Sequence, residues 1–154
     1  MLIVTTSHIK NNLDKIFFSH NLKVCQAMIL RFVSHHKSVN QNAIARSLHL
    51  KKSTISEHID NLVELGYIYK ETSITDKREK LIKISEEGEK INKIIETEFD
   101  EYNHKIKDKL GKDNYDFLVK TLESFIESEK TKPAVSSLVL FSFLLPVSPN
   151  VSLK

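Results

Sequence analysis

The chain is poor in cysteine and glycine, and both shortages narrow the classes of protein it can belong to. Cys25 is the only cysteine among 154 residues, so no disulfide can form within the chain, and a reducing compartment such as the cytoplasm is expected. The sequence has only three glycines and no glycine-rich phosphate loop, and it lacks metalloprotease and nucleophile motifs. We therefore expect neither an enzyme nor a bound cofactor.

The sequence also shows no pattern typical of an export signal or of a membrane-spanning helix. The opening Met1-Leu2-Ile3-Val4 turns polar at once and has no basic residue before it, so we expect no secretory signal. The stretch 134–153 carries no charge, but its apolar part, AVSSLVLFSFLLPV, spans only 14 residues. This is too short for a helix that crosses a bilayer, so stable membrane insertion is not expected.

Charge of one sign is concentrated in the first part of the chain, although the net charge is only +3. Residues 1–84 hold 13 Lys+Arg and 7 Asp+Glu, a balance of +6, whereas residues 85–133 hold 9 and 13, a balance of −4; Lys154 supplies the remaining +1. Such an asymmetry predicts that the basic part meets a polyanion, although a chance fluctuation would give the same numbers.

Apolar periodicity predicts a mainly helical chain with one β-hairpin. Helices are predicted over 5–19, 22–36, 40–48, 53–65, 85–110 and 113–130. Alternating apolar residues predict strands over 67–72 and 79–84, which are joined by a polar turn. Two short helices followed by a hairpin form the pattern of a winged helix-turn-helix, so the predicted fold class is mainly α with a small β-hairpin wing.

Capping residues support the predicted helix ends. Asn40 and Ser85 stand where the N-caps of the first short helix and of the long helix are expected. For the second short helix, Ser53 and Thr54 are both candidate N-caps. Thr54 and Glu57 also have the spacing of a capping box.

The second short helix, 53–65, has a polar face that suits nucleic acid. Its apolar residues Ile55, Ile59 and Leu62 share one side and should be buried. The opposite side consists of Ser53, Glu57, Asp60 and Asn61, with Thr54 and Ser56 at its flanks. Ser, Thr and Asn side chains can donate to phosphates or base edges, and Glu can accept from cytosine N4. The lysine pair at 51–52 stands just before the helix, where phosphates would lie.

The turn between the predicted strands has a mostly cationic tip, Asp76-Lys77-Arg78. An isolated turn of this kind is usually a solvated loop. After a helix-turn-helix, however, it would lie over the minor groove, where a narrow groove concentrates negative potential and favours an inserted arginine. Asp76 is two residues from Arg78 and could orient its guanidinium through a charge-assisted contact.

The stretch 42–88, NAIARSLHLKKSTISEHIDNLVELGYIYKETSITDKREKLIKISEEG, resembles the MarR family of bacterial transcriptional regulators. The residues that carry the resemblance are Ile44-Ala45, Leu48, Ser53-Thr54-Ile55-Ser56, Asp60, Leu62, Gly66-Tyr67-Ile68, Asp76-x-Arg78 and Ile84-Ser85-x-x-Gly88. The likeness extends over about 5–130 and leaves 131–154 outside. Where the family often has an arginine this chain has Lys70, which can contact a phosphate but cannot bind it in a bidentate manner.

The resemblance implies a homodimer that binds a pseudo-palindromic operator in double-stranded DNA. Helix 53–65 of each copy would lie in a major groove and the wing, 72–79, in the minor groove. The protein would regulate transcription, most often as a repressor. The helices at both ends of the chain carry more apolar residues than a winged module could cover, which independently favours a dimer. The expected architecture is therefore a winged helix-turn-helix plus a helical dimerisation region.

The chain is accordingly divided into four parts. These are an N-terminal dimerisation helix at 1–21, a winged helix-turn-helix DNA-binding module at 22–84, C-terminal dimerisation helices at 85–133, and an uncharged apolar tail of unknown role at 134–154. The alternatives for the tail are a loosely packed end, membrane association and packing against the dimerisation helices. The residues predicted to contact DNA are Arg46, Lys51, Lys52, Ser53, Thr54, Ser56, Glu57, Asn61, Lys70, Asp76, Lys77 and Arg78.

Candidate sensor residues are few. Cys25 opens the second predicted helix, whereas hydroperoxide-sensing relatives carry their reactive cysteine in the first, so a structural cysteine is predicted. His104 and Asp108 are spaced i, i+4, and a histidine pair at 35–36 ends the second helix. Four ligands with convincing spacing are not visible, so no metal site is predicted. A small-molecule effector between the dimerisation helices and the winged module stays open.

Acidic residues on the presumed reading face support a second hypothesis. Glu57 and Asp60 would repel phosphate, unless Asp60 pairs with a nearby Lys or Arg. Any exposed helix is polar outside, so a polar face does not by itself indicate DNA binding. The alternative is a winged-helix protein-interaction module without operator binding, in which the acidic helices over 85–130 form the partner surface.

Overall fold

Helices and a small three-stranded antiparallel sheet make up the described part of the chain. The structure, a computed structural model, describes residues 2–48, 50–74 and 77–128. In chain order the elements are α1 (Leu2–Phe17), a 3-10 turn (Phe18–His20), α2 (Val24–His36), β1 (Val39–Asn40), α3 (Gln41–Ser47), α4 (Lys52–Glu64), β2 (Ile68–Thr72), β3 (Lys80–Ile84), α5 (Glu86–Leu110) and α6 (Lys112–Ser128). The predicted fold class, a mainly helical chain with a winged helix-turn-helix, is confirmed.

The sheet contains one strand that the sequence pattern did not reveal. β3 lies in the middle and pairs with β2 in the predicted hairpin and with β1 on its other side. β1 pairs Val39 with Ile82 and Asn40 with Leu81. A strand of two residues shows no alternation of apolar positions, which is why periodicity does not predict it. Because β1 pairs with β3, the chain just before α3 is joined to the wing.

The predicted inner face of α4 is confirmed. Ile55, Ile59 and Leu62 are fully buried, and they share a core with Ile44 and Leu48 of the preceding short helix and its end. α4 packs against α2, α3 and β2. Burying one such aliphatic side chain contributes about 1.5–3 kcal/mol. The rotation of α4 about its axis is therefore fixed, and its polar side faces solvent.

Aromatic packing joins the first helix to the long one. Phe17 at the end of α1 and Phe99 in α5 are buried, with ring centroids 4.9 Å apart. The guanidinium carbon of Arg31 in α2 lies 5.4 Å from the centroid of the Phe99 ring, a cation–π distance. Three helices therefore meet at one aromatic side chain.

Two of the predicted helix caps are confirmed. Asn40 Oδ1 accepts a hydrogen bond from the Ala43 N–H at 2.8 Å and caps α3. Ser85 Oγ accepts one from the Gly88 N–H at 2.9 Å and caps α5. Each bond satisfies a donor that the first turn of a helix otherwise leaves without an intrahelical partner.

The capping prediction for α4 is wrong. The helix begins at Lys52 with Lys51 in the N-cap position, and no side chain accepts a hydrogen bond there. Ser53 and Thr54 therefore lie inside the first turn, and the capping box does not form. The N–H of Ile55 already donates to the Lys51 carbonyl at 3.1 Å, so the first turn that buries this side chain starts before Ser53.

The end of α5 and much of α6 leave apolar side chains in solvent. Ile95 and Phe99 in the middle of α5 are buried, but exposure rises toward its C-terminal end. The exposed apolar residues there are Leu110, Phe117, Leu118 and Phe125, and Phe117 retains 73% of its accessible surface. Large apolar side chains grouped at one end of a molecule mark an interaction surface.

The predictions on membrane insertion and on the uncharged tail concern the helices of the described ranges and the residues beyond them. None of the helices in the described ranges combines the length and the apolar character that a membrane crossing requires. The stretch 134–154, for which three roles were considered, lies outside the described residues.

Gly88→Ala is expected to destabilise the fold, although alanine favours helices more than glycine does. A Cβ at this position would lie 2.0 Å from the Tyr67 carbonyl oxygen and 2.8 Å from Ile84 Cγ1, so the backbone must move. Overpacking costs about 1–3 kcal/mol, which exceeds the gain in helix propensity of about 1 kcal/mol. Urea unfolding measures the difference. Lys93→Ala, at an exposed position of the same helix, is the control, and equal stability of Gly88→Ala and wild type would contradict the close contact.

Candidate nucleic-acid interface

The outward face of α4 carries the side chains that the sequence predicts for it. Ser53, Glu57 and Asp60 are exposed, and Thr54, Ser56 and Asn61 are half-buried at its flanks. Glu64, which is not among the predicted residues, is also exposed one turn beyond Asp60. The face therefore offers hydroxyl and amide donors together with three carboxylates.

One of these carboxylates, Asp60, is paired with a nearby lysine, which is one of the two alternatives that the sequence leaves open. Lys70 Nζ in β2 lies 2.5 Å from Asp60 Oδ1, and both side chains are substantially exposed. An exposed pair of this kind contributes about 0–1 kcal/mol to stability. Its main effect is geometric, because it holds a lysine head group of the wing against α4.

A cleft lies between the start of α3, the start of α4 and the base of the wing. Its volume is about 380 Å³, and it is lined by Asn40, Gln41, Asn42, Lys52, Lys70, Arg78, Glu79, Lys80 and Ile82. Four of these described side chains are cationic and one is anionic, so the lining has a formal charge of +3. An open, polar, cationic cleft is suited to an anion such as a backbone phosphate.

Six lining residues were not among the predicted DNA contacts, and three of them, Asn40, Gln41 and Glu79, hold neighbouring elements together. Gln41 Nε2 donates to the Lys52 carbonyl oxygen at 3.1 Å and joins α3 to α4. Asn40 Nδ2 donates to Glu79 Oε1 at 2.6 Å and joins α3 to the wing. The only sequence signal for Asn40 was its role as a helix cap. The hydrogen bond to Glu79 depends on the pairing of β1 with β3. Because this pairing joins residues that are distant in the chain, no local sequence pattern predicts it.

The remaining predicted residues lie outside the cleft lining or outside the described residues. The exposed cations beyond the lining are Arg46 in the last turn of α3, Lys51 before α4 and Lys77 in the wing. Asp76 lies outside the described residues, so its proposed orientation of Arg78 stays a prediction. The structure brings three predicted cations, Lys52, Lys70 and Arg78, to one cleft, and the contacts of the whole set with DNA stay predictions.

The environment of Cys25 favours a structural thiol. Its side chain is half-buried near the start of α2. Burial raises the pKa of the thiol above its ordinary value, and the nearby charges of Lys10 and Lys23 oppose this only in part. A raised pKa lowers the fraction of reactive thiolate at neutral pH.

The histidines considered as metal ligands make local contacts. His104 Nδ1 donates to the Asp100 carbonyl at 2.7 Å within α5, and His36 Nδ1 donates to the Phe32 carbonyl at 2.9 Å within α2. In the part of the chain that the structure describes, no group of three or more His, Cys, Asp or Glu side chains is arranged to hold a metal ion.

Comparison with known proteins gives one family match within the chain and several structures of similar fold. The MarR family model matches residues 20–79. The fold is similar to that of the transcriptional regulator SlyA, with a TM-score of 0.78 and 21% identity over 85% of this chain and 93% of that chain. It is also similar to an S. aureus MepR–DNA complex, with a TM-score of 0.75 and 21% identity over 81% and 92% of the two chains.

A third similar structure is CouR from Rhodococcus jostii bound to p-coumaroyl-CoA, with a TM-score of 0.73 and 21% identity over 85% of this chain and 90% of that chain. No curated protein matches the sequence. At identities near 20%, the structural similarities establish the fold, including the helices on both sides of the winged module.

Cys25 is expected to react slowly with the disulfide reagent DTNB in the native protein at pH 7. Because burial raises the pKa of the thiol, the rate should increase with pH and reach half its maximum at a higher pH than it does for an unhindered cysteine. Unfolding in urea should raise the rate at pH 7 to that of an unhindered thiol. Cys25→Ser provides the blank. Rapid reaction of the native protein at pH 7 would contradict a structural role and point to a reactive thiol.

Proposed function

We propose that this chain, whose residues 20–79 carry the winged helix-turn-helix of the MarR family, is a dimeric, sequence-specific DNA-binding transcriptional regulator. The observation that carries the proposal is the cationic cleft beside the outward face of α4. The cleft attracts a backbone phosphate, while the adjacent face presents hydroxyl and amide groups that can reach base edges.

In this proposal α4 lies in the major groove and the wing, 72–79, in the neighbouring minor groove. Arg78 is exposed at the wing, where a narrow minor groove would attract its guanidinium. Lys52 and Lys70 line the cleft between the two elements, where the sugar-phosphate backbone separates the two grooves. The MepR structure is a complex with DNA, which supports DNA binding by a protein of this fold.

We propose a homodimer formed by the N-terminal helix in 1–21 and the C-terminal helices in 85–133. The exposed apolar side chains of α5 and α6 support this assignment, because a second copy would cover them. Two copies related by a two-fold axis would read the two halves of a pseudo-palindromic operator.

The proposal further describes a cytoplasmic repressor under the control of a small-molecule effector. The CouR structure contains p-coumaroyl-CoA, which supports an effector for a protein of this fold. The effector would bind between the dimerisation helices and the winged module, where it could change the spacing of the two DNA-binding modules.

One observation favours a second candidate function. Glu57, Asp60 and Glu64 are all exposed on the presumed reading face, and carboxylates there repel phosphate. The alternative is a winged-helix module that contacts another protein and binds no operator. Failure of the purified protein to shift any promoter fragment in low-salt buffer would favour this alternative.

Arg78→Ala is expected to weaken binding to every duplex on the order of tenfold at physiological salt, because it removes a cation from the minor groove. The operator is first selected from random duplexes, and binding is then titrated by fluorescence anisotropy at several salt concentrations. The dependence of log K on log[salt] should become shallower by about one unit.

Two variants serve as controls for this measurement. Lys93→Ala removes an exposed cation from α5 and should leave binding unchanged. Ser53→Ala keeps the charge and should change the preferred base pairs without changing the salt dependence. Wild-type affinity of Arg78→Ala at physiological salt would count against the proposed role of the wing.

Phe117→Glu is expected to weaken the dimer, because it puts a charge on a side chain that the second copy would cover. Sedimentation equilibrium at micromolar concentration measures the association, and circular dichroism checks the helical content. Glu123→Lys lies on the opposite side of α6 and should leave association unchanged. A monomeric wild-type protein at micromolar concentration would overturn the proposed dimer.

A further inference from the structure

Asn40 uses both ends of its amide side chain in contacts that join two parts of the DNA-facing surface. Its Oδ1 accepts from the Ala43 N–H at 2.8 Å and caps α3. Its Nδ2 donates to Glu79 Oε1 at 2.6 Å, across 39 residues of sequence. Glu79 is the neighbour of Arg78, so one side chain connects the start of α3 to the residue beside the wing arginine.

The backbone on both sides of this bond is held as well. Asn40 pairs with Leu81 in the sheet, which fixes the distance between β1 and β3. The Ser73 N–H donates to the Glu79 carbonyl at 3.0 Å and closes the base of the wing, and Ser73 is buried. Glu79 therefore uses its backbone to close the wing and its side chain to attach the wing to α3.

The next residue carries the connection to α4. Gln41 Nε2 donates to the carbonyl oxygen of Lys52, the first residue of that helix. Consecutive residues, Asn40 and Gln41, thus contact the wing on one side and α4 on the other. This pair of side chains therefore links the wing to α4 through the start of α3.

The negative charge of Glu79 does not help the cleft to bind an anion, so it must serve another purpose. It is the one carboxylate among the described residues that line the cationic cleft, and it lowers the attraction of the cleft for an anion. A glutamine would avoid this effect. The hydrogen bond from Asn40 gives the carboxylate a defined role, since an ionised acceptor makes a shorter and stronger bond than a neutral one.

We propose that Asn40 and Glu79 are a positioning pair that holds the wing at a fixed distance from α4, so that Arg78 and α4 enter adjacent grooves together. This inference rests on the proposed function. Without the bond the wing samples more positions, and ordering it on DNA then opposes binding.

Three variants separate this role from helix capping and from charge. Asn40→Ser keeps an N-cap oxygen and the net charge but loses the donor to Glu79. Asn40→Asp also keeps the cap but directs a carboxylate at Glu79. In Asn40→Asp combined with Glu79→Gln, the glutamine amide can donate to the aspartate, so the bond returns with donor and acceptor exchanged and with the wild-type charge.

The first readout is the hydrogen-exchange rate of the Ser73 amide in the free protein, measured by NMR. This rate reports whether the wing base is closed and does not depend on DNA. Exchange should be at least severalfold faster in Asn40→Ser and Asn40→Asp than in wild type, and it should return to the wild-type rate in the double variant. Equal protection in Asn40→Ser and wild type would overturn the inference.

The second readout is affinity for the selected operator, with thermal unfolding as the check on the fold. Asn40→Ser should bind about tenfold more weakly than wild type, and the double variant should bind within about twofold of wild type. Unchanged operator affinity in Asn40→Ser would overturn the positioning role. A wild-type protein that binds no duplex would instead overturn the proposed function, whatever the exchange rates are.

Discussion

The orientation of α4 is the constraint on which the rest of the interface depends. Ile55, Ile59 and Leu62 are fully buried on one side of this helix. Burial of each contributes about 1.5–3 kcal/mol, so turning the helix about its axis would cost more than any single surface contact could return. The outward donors and carboxylates are therefore in position before a partner arrives. The cleft, the wing and the connections between them are arranged around that fixed face.

Carboxylates on a basic surface are best understood through the groups they hold. Asp60 contacts Lys70 at 2.5 Å, and Glu79 accepts from Asn40 at 2.6 Å. Each carboxylate reduces the general attraction for a polyanion. Each also restricts the position of a group on the wing. Because non-specific affinity for DNA comes mainly from charge, a surface that gives up some charge for fixed geometry favours specific over non-specific binding.

The sequence predicted those features that depend on local spacing and missed those that depend on distant pairing. The apolar residues of α4 recur with the period of a helix, and the Asn40 cap lies three residues from the N–H it accepts. The bond from Asn40 to Glu79 spans 39 residues and follows from a strand too short to show alternation. The N-cap of α4 is Lys51, although Ser53 is a better capping residue. Burial of Ile55 in the first turn favours a helix that begins before Ser53, and the local capping pattern does not report this burial.

The long helix α5 links the two ends of the molecule, because its two halves have different partners. Its start is fixed to the end of α4, where Ser85 Oγ donates to the Gly66 carbonyl at 2.6 Å and the close approach of Tyr67 requires Gly88. Its other end, at Leu110, is exposed and would pack against the second copy in the proposed dimer. A helix of 25 residues spans about 37 Å. In the proposed dimer, a ligand that changes packing at this end would therefore move the two winged modules relative to each other, and this would release an operator without any contact between the ligand and the proposed DNA-binding surface.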